Sequence, residues 1–486
     1  QADRFAGLAR RALAAGKAMV VLKVGRSPGG RQTALAHTGA IAGDDAVVDA
    51  CLRQLGVIRA GSLEELLITA GLLGYGPRLT GRRMGVLTAS GGACDIIADR
   101  AYEEGIELPA FAPGTVAALE QLLPPFTNAQ NPVDVTGFGL AHQGGRISTT
   151  ATPRTPMVAV LREVARDPNL DFVFMLGPLV PTGAGTDPAV AVQRFDEHAN
   201  AIAEAPIPVV SCRNTCTDLE AGARDLFLSR GVHQLGGLEF GLRAIGHAVR
   251  WEEHRRRARQ LVEPEERDVP GWVRDLAPGT WAETDGRRLL AGAGIPLVPA
   301  ELVRSAGEAV TAAGRLGYPV ALKICGAGIA HKSELGGVAL GLADGAAVEE
   351  AFARVGGGRP VLVSPMRKGG LELLAGVAAD PTFGRCLAVG LGGIWAETLH
   401  DVALRVLPVD EEDVVAMLAE LRGAPLLRGA RGTVPVDEPR LVQVLLRLTE
   451  AAGLLGPRLQ ALETNPLWCC GDRIEALDVL VVTKEG

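Results

Sequence analysis

Aromatic residues, paired cysteines and long apolar runs are all scarce in this chain of 486 residues. Phe, Trp and Tyr together make up 4%, and the eight cysteines are scattered without a Cys-x-x-Cys pair. Such cysteines are typical of structural thiols in a reducing compartment. No apolar run reaches the roughly 18 residues that cross a bilayer, and no basic start precedes a short apolar core. We therefore expect a cytoplasmic protein without a membrane partner.

An excess of positive charge is also missing. The formal net charge is −7 and the isoelectric point is about 5.8, which argues against a nucleic acid or an anionic surface as a partner. Glycine and proline are abundant, with 62 and 30 residues in a chain that is 47% hydrophobic. This composition favours α/β units that are packed by small aliphatic side chains and joined by tight turns, in about two to four domains.

A histidine loop is the first candidate site. His37 lies between a predicted strand at 19–24 and a predicted helix at 45–53. Thr38 and Gly39 leave the backbone bare beside it, so amide groups and a helix N-terminus can approach an anion bound to the ring. The alternative is a solvated or capping histidine in an ordinary loop.

A glycine turn is the second candidate site. The apolar run 82–88 predicts a buried strand, and Ser90, Gly91 and Gly92 lead from it into a helix that ends near Glu104. A strand, a small-residue turn and a helix N-terminus can cradle a phosphate, because several amide groups and the helix dipole converge there. A tight turn without a ligand is the alternative.

Alternating strands and helices continue beyond this turn. Strands are predicted at 172–176 and 209–211, with helices at 156–166 and 187–204. This alternation is typical of a doubly wound α/β unit with a parallel sheet. The segment 251–280 then becomes charged and contains proline, which indicates a linker.

The strongest metal signal lies near the end of the chain. Residues two apart on a strand face the same side, so Glu463 and Asn465 on a predicted strand at 461–467 present two hard oxygens to one Mg²⁺ ion. Asp478 is predicted on the neighbouring strand as a supporting ligand.

Four segments together resemble a known family. The loop His37–Asp44 is similar to the phosphohistidine loop of the nucleoside-diphosphate-forming acyl-CoA synthetases, which are relatives of succinyl-CoA synthetase. The Ser90 turn, the segment 326–338 and the Glu463 strand follow in the family's order. Glu334 stands where this family usually has Asp, which keeps the charge and lengthens the side chain.

The resemblance implies a role for each candidate residue. His37 would be the main phosphohistidine, with His331 as a second carrier or a gate on the ATP side, and the Ser90–Gly92 turn would face the phosphorylated ring. Lys323 would hold the ATP phosphates. The remaining candidates are Glu372 and Glu397, which would face the nucleotide, and Glu463, Asn465 and Asp478, which would hold Mg²⁺.

The implied fold is α/β, with flavodoxin-like units followed by an ATP-grasp domain. We expect half of one flavodoxin-like CoA-ligase domain at 1–75, a second at 76–255, a linker at 256–280 and the ATP-grasp domain at 281–486. The chain begins on a helix that needs a sheet, so the resemblance implies an upstream CoA-binding domain. We expect these residues alone to bind Mg-ATP but to form little acyl-CoA.

The implied activity is an acid–thiol ligase that converts a carboxylic acid, coenzyme A and ATP to acyl-CoA, ADP and phosphate. A homo-oligomer is expected, while the acid is not readable from the sequence. Three rivals are an acyl-CoA-sensing half of a protein acetyltransferase, a non-catalytic nucleotide-binding regulator, and an ATP-grasp ligase without CoA. No acetyltransferase domain is present in these residues, a decayed regulator would be expected to lose His37 or the Glu463/Asn465 pair, and the His37 loop argues against the third.

Overall fold

The computed structural model describes residues 2–25, 45–124, 127–136, 156–177, 187–216, 221–257, 269–330, 332–393 and 401–485. Their contacts form two compact units. The N-terminal unit comprises 4–33 and 55–258, and the C-terminal unit comprises 1–3, 34–54 and 259–486. His37, His331 and Glu397 lie outside the described residues, so their predicted roles stay predictions.

A five-stranded parallel sheet forms the centre of the N-terminal unit, with strand order β4-β3-β5-β6-β7. Its strands are β3 (Met84–Thr88), β4 (Val133–Asp134), β5 (Phe172–Leu176), β6 (Val209–Cys212) and β7 (Gln234–Leu235). Every residue of β3 and β5 is buried, as expected where helices cover both faces of a parallel sheet. Phe172 and Phe174 pack into one apolar cluster, whereas Val173 and Met175 pack into another. The predicted doubly wound unit is therefore confirmed.

Two smaller strands begin the N-terminal unit. β1 (Met19–Leu22) pairs in parallel with β2 (Val57–Ala60), so β1 is two residues shorter than predicted. Helix α1 (Ala2–Ala14) precedes them, and α2 (Asp45–Gln54) comes between them in sequence but groups with the C-terminal unit. The remaining helices of this unit are α3 (Leu63–Tyr75), α4 (Gly91–Glu103), α5 (Pro113–Leu122), α6 (Pro156–Val164), α7 (Pro188–Glu204), α8 (Ala221–Ser229) and α9 (Leu238–Arg257).

A four-stranded antiparallel sheet forms one part of the C-terminal unit, with strand order β11-β10-β12-β9. Its strands are β9 (Glu301–Val303), β10 (Val320–Ile324), β11 (Val338–Leu342) and β12 (Val361–Pro365). Two helices, α12 (Ala306–Leu316) and α13 (Gly345–Gly356), pack against it through one apolar cluster. The apolar run 295–298 forms no strand: Leu297 makes a single bridge to Ala476, and Pro296 has no N–H with which to extend a ladder.

A seven-stranded antiparallel sheet forms the other part, with order β15-β14-β13-β16-β18-β8 and β17 beside β16. Its strands are β8 (Gly279–Thr280), β13 (Leu371–Asp380), β14 (Gly384–Leu391), β15 (Val402–Val406), β16 (Leu459–Cys470), β17 (Arg473–Ala476) and β18 (Leu480–Thr483). The helices of this part are α10 (Gly271–Asp275), α11 (Glu283–Gly292), α14 (Glu411–Glu420), α15 (Ala424–Leu427) and α16 (Glu438–Leu455). They share one large apolar core with one face of the sheet. Among the described residues, no helix is both long enough and apolar enough to cross a membrane.

Candidate functional site

The seven-stranded sheet has one core face and one opposite face, and alternation along β13 separates them. Leu371, Leu373 and Ala375 belong to the apolar core, so Glu372 and Gly376 lie on the opposite face. Across the β13–β16 pair, Gly376 stands opposite Glu463. A Cβ atom at Gly376 would lie only 3.0 Å from the carbonyl oxygen of Leu462. The absence of a side chain at this position therefore leaves space on this face beside Glu463.

A β-bulge in β16 sets the position of Asn465. Leu373 pairs with Leu467 and Ala375 pairs with Thr464, so two residues of β16, Asn465 and Pro466, stand opposite one residue of β13. Thr464 is buried on the face that packs against the core, whereas Asn465 is exposed. Glu463 and Asn465 therefore share the face that lies opposite the apolar core.

Asp478 lies in the short link between β17 and β18 and not on a strand, so its predicted location on a neighbouring strand is wrong. Leu467 pairs with Ala476, and Glu463 pairs with Leu480. Equal numbers of residues separate these pairs, which places Asp478 opposite Asn465. The backbone N–H of Leu477 donates to the carbonyl of Pro466 over 3.0 Å, as this register requires.

Lys323 reaches the same place from the four-stranded sheet. Val320, Leu322 and Ile324 of β10 pack under the helices, so alternation places Lys323 on the other face of that sheet. Its Nζ atom donates to the carbonyl oxygen of Leu477 over 2.7 Å and lies 3.5 Å from Oδ1 of Asp478. Lys323 and Asp478 are thus brought together, as the predicted nucleotide site requires.

Two further charged residues, Glu283 and Lys332, were not singled out from the sequence. The Nζ atom of Lys332 donates to Oδ1 of Asp478 and, over 2.6 Å, to Oε2 of Glu283. Glu283 lies in the first turn of α11, and Arg287 follows 3.7 Å away. The motif 326–338 includes Lys332, but the approach of Glu283 is a tertiary contact that no local pattern indicates.

Burial and the nearby carboxylate of Asp478 raise the pKa of Glu283 to about 7. Burial acts to raise the pKa of Asp478 as well, but Lys323 and Lys332 outweigh it and lower that pKa. Asp478 therefore loses its proton at a lower pH than Glu283 does.

This donor set fits a hard divalent cation. The carboxylates of Glu463 and Asp478 and the amide of Asn465 supply oxygen ligands, which Mg²⁺ prefers. Asp478 already binds one cation, the ammonium group of Lys332. Within the described parts of the chain, no group of three His, Cys, Asp or Glu side chains forms a metal cluster. A metal here would depend on the amide oxygen of Asn465 and on substrate or water oxygens.

Glu372 lies at the start of β13, where its side chain is exposed. Its carbonyl oxygen accepts a hydrogen bond from the N–H of Gly392 over 2.8 Å. A Cβ atom at Gly393 would lie 2.8 Å from Oε2 of Glu372, so the glycine loop after β14 runs close to this carboxylate.

The Ser90 turn lies in the N-terminal unit and begins α4. Ser90 is the N-cap and makes no side-chain capping bond, and a Cβ atom at Gly92 would meet open space. At Gly91 the same atom would lie 3.1 Å from Oδ2 of Asp134. An anion at this turn would therefore have a carboxylate as its neighbour, although Oδ1 of Asp134 accepts hydrogen bonds from Thr136.

Asn131 has a structural task in the same unit. Its Oδ1 atom accepts from the N–H of Val86 over 2.9 Å, and its Nδ2 atom donates to the carbonyls of Met84 and Pro109. The side chain thus ties its loop to β3.

Comparison with protein families identifies both parts of the fold. Residues 277–483 match the ATP-grasp domain, and residues 1–73 match the succinyl-CoA ligase-like flavodoxin domain. The two-sheet architecture and the convergence of Lys323, Asn465 and Asp478 agree with the first match. The C-terminal unit is therefore of the ATP-grasp class.

Three curated relatives extend the similarity along the chain. A trans-feruloyl-CoA synthase from an unknown prokaryotic organism is 30% identical over 99% of this chain and 67% of the relative. An ADP-forming acetate–CoA ligase of Archaeoglobus fulgidus is 30% identical over 93% of this chain and 64% of its own length. The β subunit of an ADP-forming acetate–CoA ligase of Pyrococcus furiosus is 33% identical over 41% of this chain and 90% of that subunit.

This chain belongs to the family of ADP-forming acyl-CoA synthetases. It spans about two thirds of the length of the longer curated relatives that it matches.

Proposed function

We propose that this chain acts in an acid–thiol ligase that forms acyl-CoA from a carboxylic acid, coenzyme A and ATP. The observation that carries the proposal is the meeting of Lys323, Asn465 and Asp478 between the two sheets of the C-terminal unit. Ammonium, amide and carboxylate groups in that arrangement suit a metal-bound polyphosphate. The named relatives support the choice of ligase chemistry.

The proposed reaction has three transfers. The imidazole of His37 attacks the γ-phosphorus of ATP, so a P–N bond forms and the P–O bond to ADP breaks. The carboxylate then attacks phosphorus, which regenerates the imidazole and gives an acyl phosphate. The CoA thiolate finally attacks the acyl carbon and phosphate leaves. A neutral imidazole suits the first step because it is nucleophilic near pH 7.

The protein's own groups would supply positioning and charge. Lys323 would neutralise phosphate charge as it develops, and Glu463, Asn465 and Asp478 would hold Mg²⁺, which adds further charge neutralisation when bound. Glu372 and Glu397 would face the nucleotide. His331 would serve as a second carrier or a gate, and Ser90, Gly91 and Gly92 would receive the phosphorylated ring.

The acid is proposed only as a class. Relatives are named for acetate, 4-hydroxybutyrate and trans-feruloyl groups, which differ in size and polarity.

A cytoplasmic homo-oligomer is also proposed, and the eight free cysteines support the reducing compartment. Light scattering after size-exclusion chromatography tests the assembly.

The first test is phosphorylation by ATP. The protein is incubated with Mg²⁺ and γ-labelled ATP, and acid-labile, base-stable label is mapped by mass spectrometry. We expect label on His37, no label in His37→Ala, and at least about a tenfold slower labelling in Lys323→Met. The matched control is Lys368→Met, since Lys368 is an exposed lysine of the same unit. Unchanged labelling in His37→Ala, or equal rates in the two lysine variants, would reject the proposal.

A further inference from the structure

Asp478 has two lysine partners, and the two differ in what else they contact. Lys323 also donates to the backbone carbonyl of Leu477. Lys332 instead donates to a second carboxylate, Glu283, over 2.6 Å. The side chain of Lys332 is 9% exposed and that of Glu283 is 2% exposed, so this second pair is shielded from water and Lys332 has an anion to keep if it loses Asp478.

The backbone around Lys332 is closed upon itself. The N–H of Gly337 donates to the carbonyl of Lys332 over 2.8 Å, and the N–H of Gly336 donates to that of Ser333 over 3.1 Å. The carbonyl of Gly337 in turn accepts from the N–H of Ile324 on β10. This turn (residues 332–337) is therefore anchored at its end by the sheet and at its start by the side chain of Lys332.

Electrostatic repulsion determines how a metal ion on Asp478 would affect Lys332. Asn465 lies opposite Asp478 in the strand register, so a divalent cation held by both would approach the oxygen that Lys332 now contacts. Two cations on one carboxylate repel each other, and in a shielded site that repulsion is large. A buried ammonium without an anion would be costly, but Glu283 removes that cost for Lys332.

We propose that Lys332 is a positioning residue that competes with the divalent metal for Asp478 and withdraws to Glu283 when the metal binds. The inference rests on the proposed function, because it takes Asp478 as a metal ligand. Loss of the Asp478 contact leaves the Lys332 side chain with one carboxylate contact instead of two, so the metal site and the start of the 332–337 turn are coupled through one ammonium group. The carboxylate of Glu283 sets how easily the exchange occurs.

The test measures binding of Mn²⁺ alone, without nucleotide, from the paramagnetic resonance signal of the free ion. Lys332→Met removes the competitor, so we expect Mn²⁺ to bind about tenfold more tightly than to the unaltered protein. Glu283→Gln leaves Lys332 with Asp478 as its one carboxylate, so we expect Mn²⁺ to bind about tenfold more weakly. The double variant should resemble Lys332→Met, because Glu283 acts through Lys332. Lys368→Met is the control and should leave the affinity unchanged.

Hydrogen exchange of the unaltered protein gives a second measurement that needs no substitution. Added Mn²⁺ should increase amide exchange in peptides that cover 332–337, while peptides from α12 should not change. Equal or weaker Mn²⁺ binding in Lys332→Met, no effect of Glu283→Gln, or unaltered exchange in this turn would overturn the inference. If these results appear while Asp478→Asn abolishes Mn²⁺ binding, the proposed metal site stands and the competition alone fails. If the unaltered protein binds no Mn²⁺ with or without ADP, both fail.

Discussion

His198 is a buried residue whose imidazole gains a proton only at a cost. It lies on α7 with 5% of its surface exposed, and its Nδ1 atom donates to the carbonyl of Arg194 over 2.8 Å. Burial lowers the pKa of His198 below its ordinary value. The unfolded chain, whose histidines titrate near pH 6.5, therefore binds more protons than the native state below that pH. Acid should destabilise the N-terminal unit through this residue.

We predict that His198→Gln loses less stability than the unaltered protein when the pH falls from 7.5 to 5.5. The sign follows because glutamine has no proton to gain, even if its packing is poorer at both pH values. Urea unfolding followed by circular dichroism at the two pH values measures the change. Asn200→Gln, an exposed change on the same helix, should keep the full pH dependence. An identical acid-induced loss in His198→Gln and in the unaltered protein would contradict the prediction.

The candidate residues differ in how far the sequence alone could find them. Glu463 and Asn465 could be identified from the two-residue period of a strand. Strand β16 keeps this period, with alternate residues buried in the core, up to the bulge. Lys323 was implied by the family resemblance and not by the period of its strand. Lys332 and Asp478 are 146 positions apart, and Lys332 and Glu283 are 49 apart. Such contacts depend on how two sheets and a helix pack together, and the periodicity of a local sequence does not predict that packing.

Strand β16 carries the candidate metal ligands on one face and packs against the apolar core with the other. Thr464 lies between Glu463 and Asn465 but points to the core, where it is 1% exposed. Its hydroxyl oxygen has no hydrogen-bond partner among the described residues. A buried hydroxyl without a partner costs free energy, and valine has nearly the same shape without that group.

We therefore predict that Thr464→Val raises the free energy of unfolding by about 1 kcal/mol and leaves Mn²⁺ affinity unchanged. Thr449→Val is the matched control, because the Thr449 hydroxyl donates to the carbonyl of Leu446 over 2.7 Å. That variant should gain nothing. Thermal unfolding and Mn²⁺ titration give the two measurements, and a destabilised Thr464→Val protein would show that the hydroxyl has a partner after all.

Elements with a clear period and clear end signals were predicted well. Strand Phe172–Leu176 has the predicted bounds, because all five of its residues are buried. At the start of α3, Ser62 accepts from the N–H of Glu65, and the Glu65 carboxylate accepts from the N–H of Gly61. A short apolar run beside proline is ambiguous, because the same pattern is compatible with a strand or with a single bridge such as that of Leu297.

At the scale of the whole molecule, the fold class is confirmed, and the path of the chain adds a feature that no motif indicated. Among the described residues, those of α2 group with the C-terminal unit, although the described residues of 4–33 and 55–258 group with the N-terminal unit. Helix α2 lies against β15. The helix that follows the His37 loop is thus part of the unit that carries Lys323 and Asp478.

Gln54, the last residue of α2, makes the contact that can test this arrangement. Its Nε2 atom donates to the carbonyl of Val406 over 2.8 Å, and its Oε1 atom accepts from the N–H of Val406 over 2.9 Å. Among the described strands, β15 lies at the edge of its sheet. The Gln54 amide therefore satisfies backbone groups that an edge strand leaves open.

We predict that Gln54→Ala accelerates exchange of the Val406 amide hydrogen about fivefold, because a net hydrogen bond of roughly 1 kcal/mol is lost. Gln54→Glu should give an intermediate rate, since a carboxylate still accepts from the Val406 N–H but cannot donate to its carbonyl. Arg53→Ala is the control: Arg53 is about half exposed and pairs with Glu420 over 3.3 Å, so its loss should change little. Mass spectrometry of peptides that cover 402–407 measures the rates. Equal protection in Gln54→Ala and the unaltered protein would mean that α2 does not hold this edge in solution, and the grouping of α2 with the C-terminal unit would then fail.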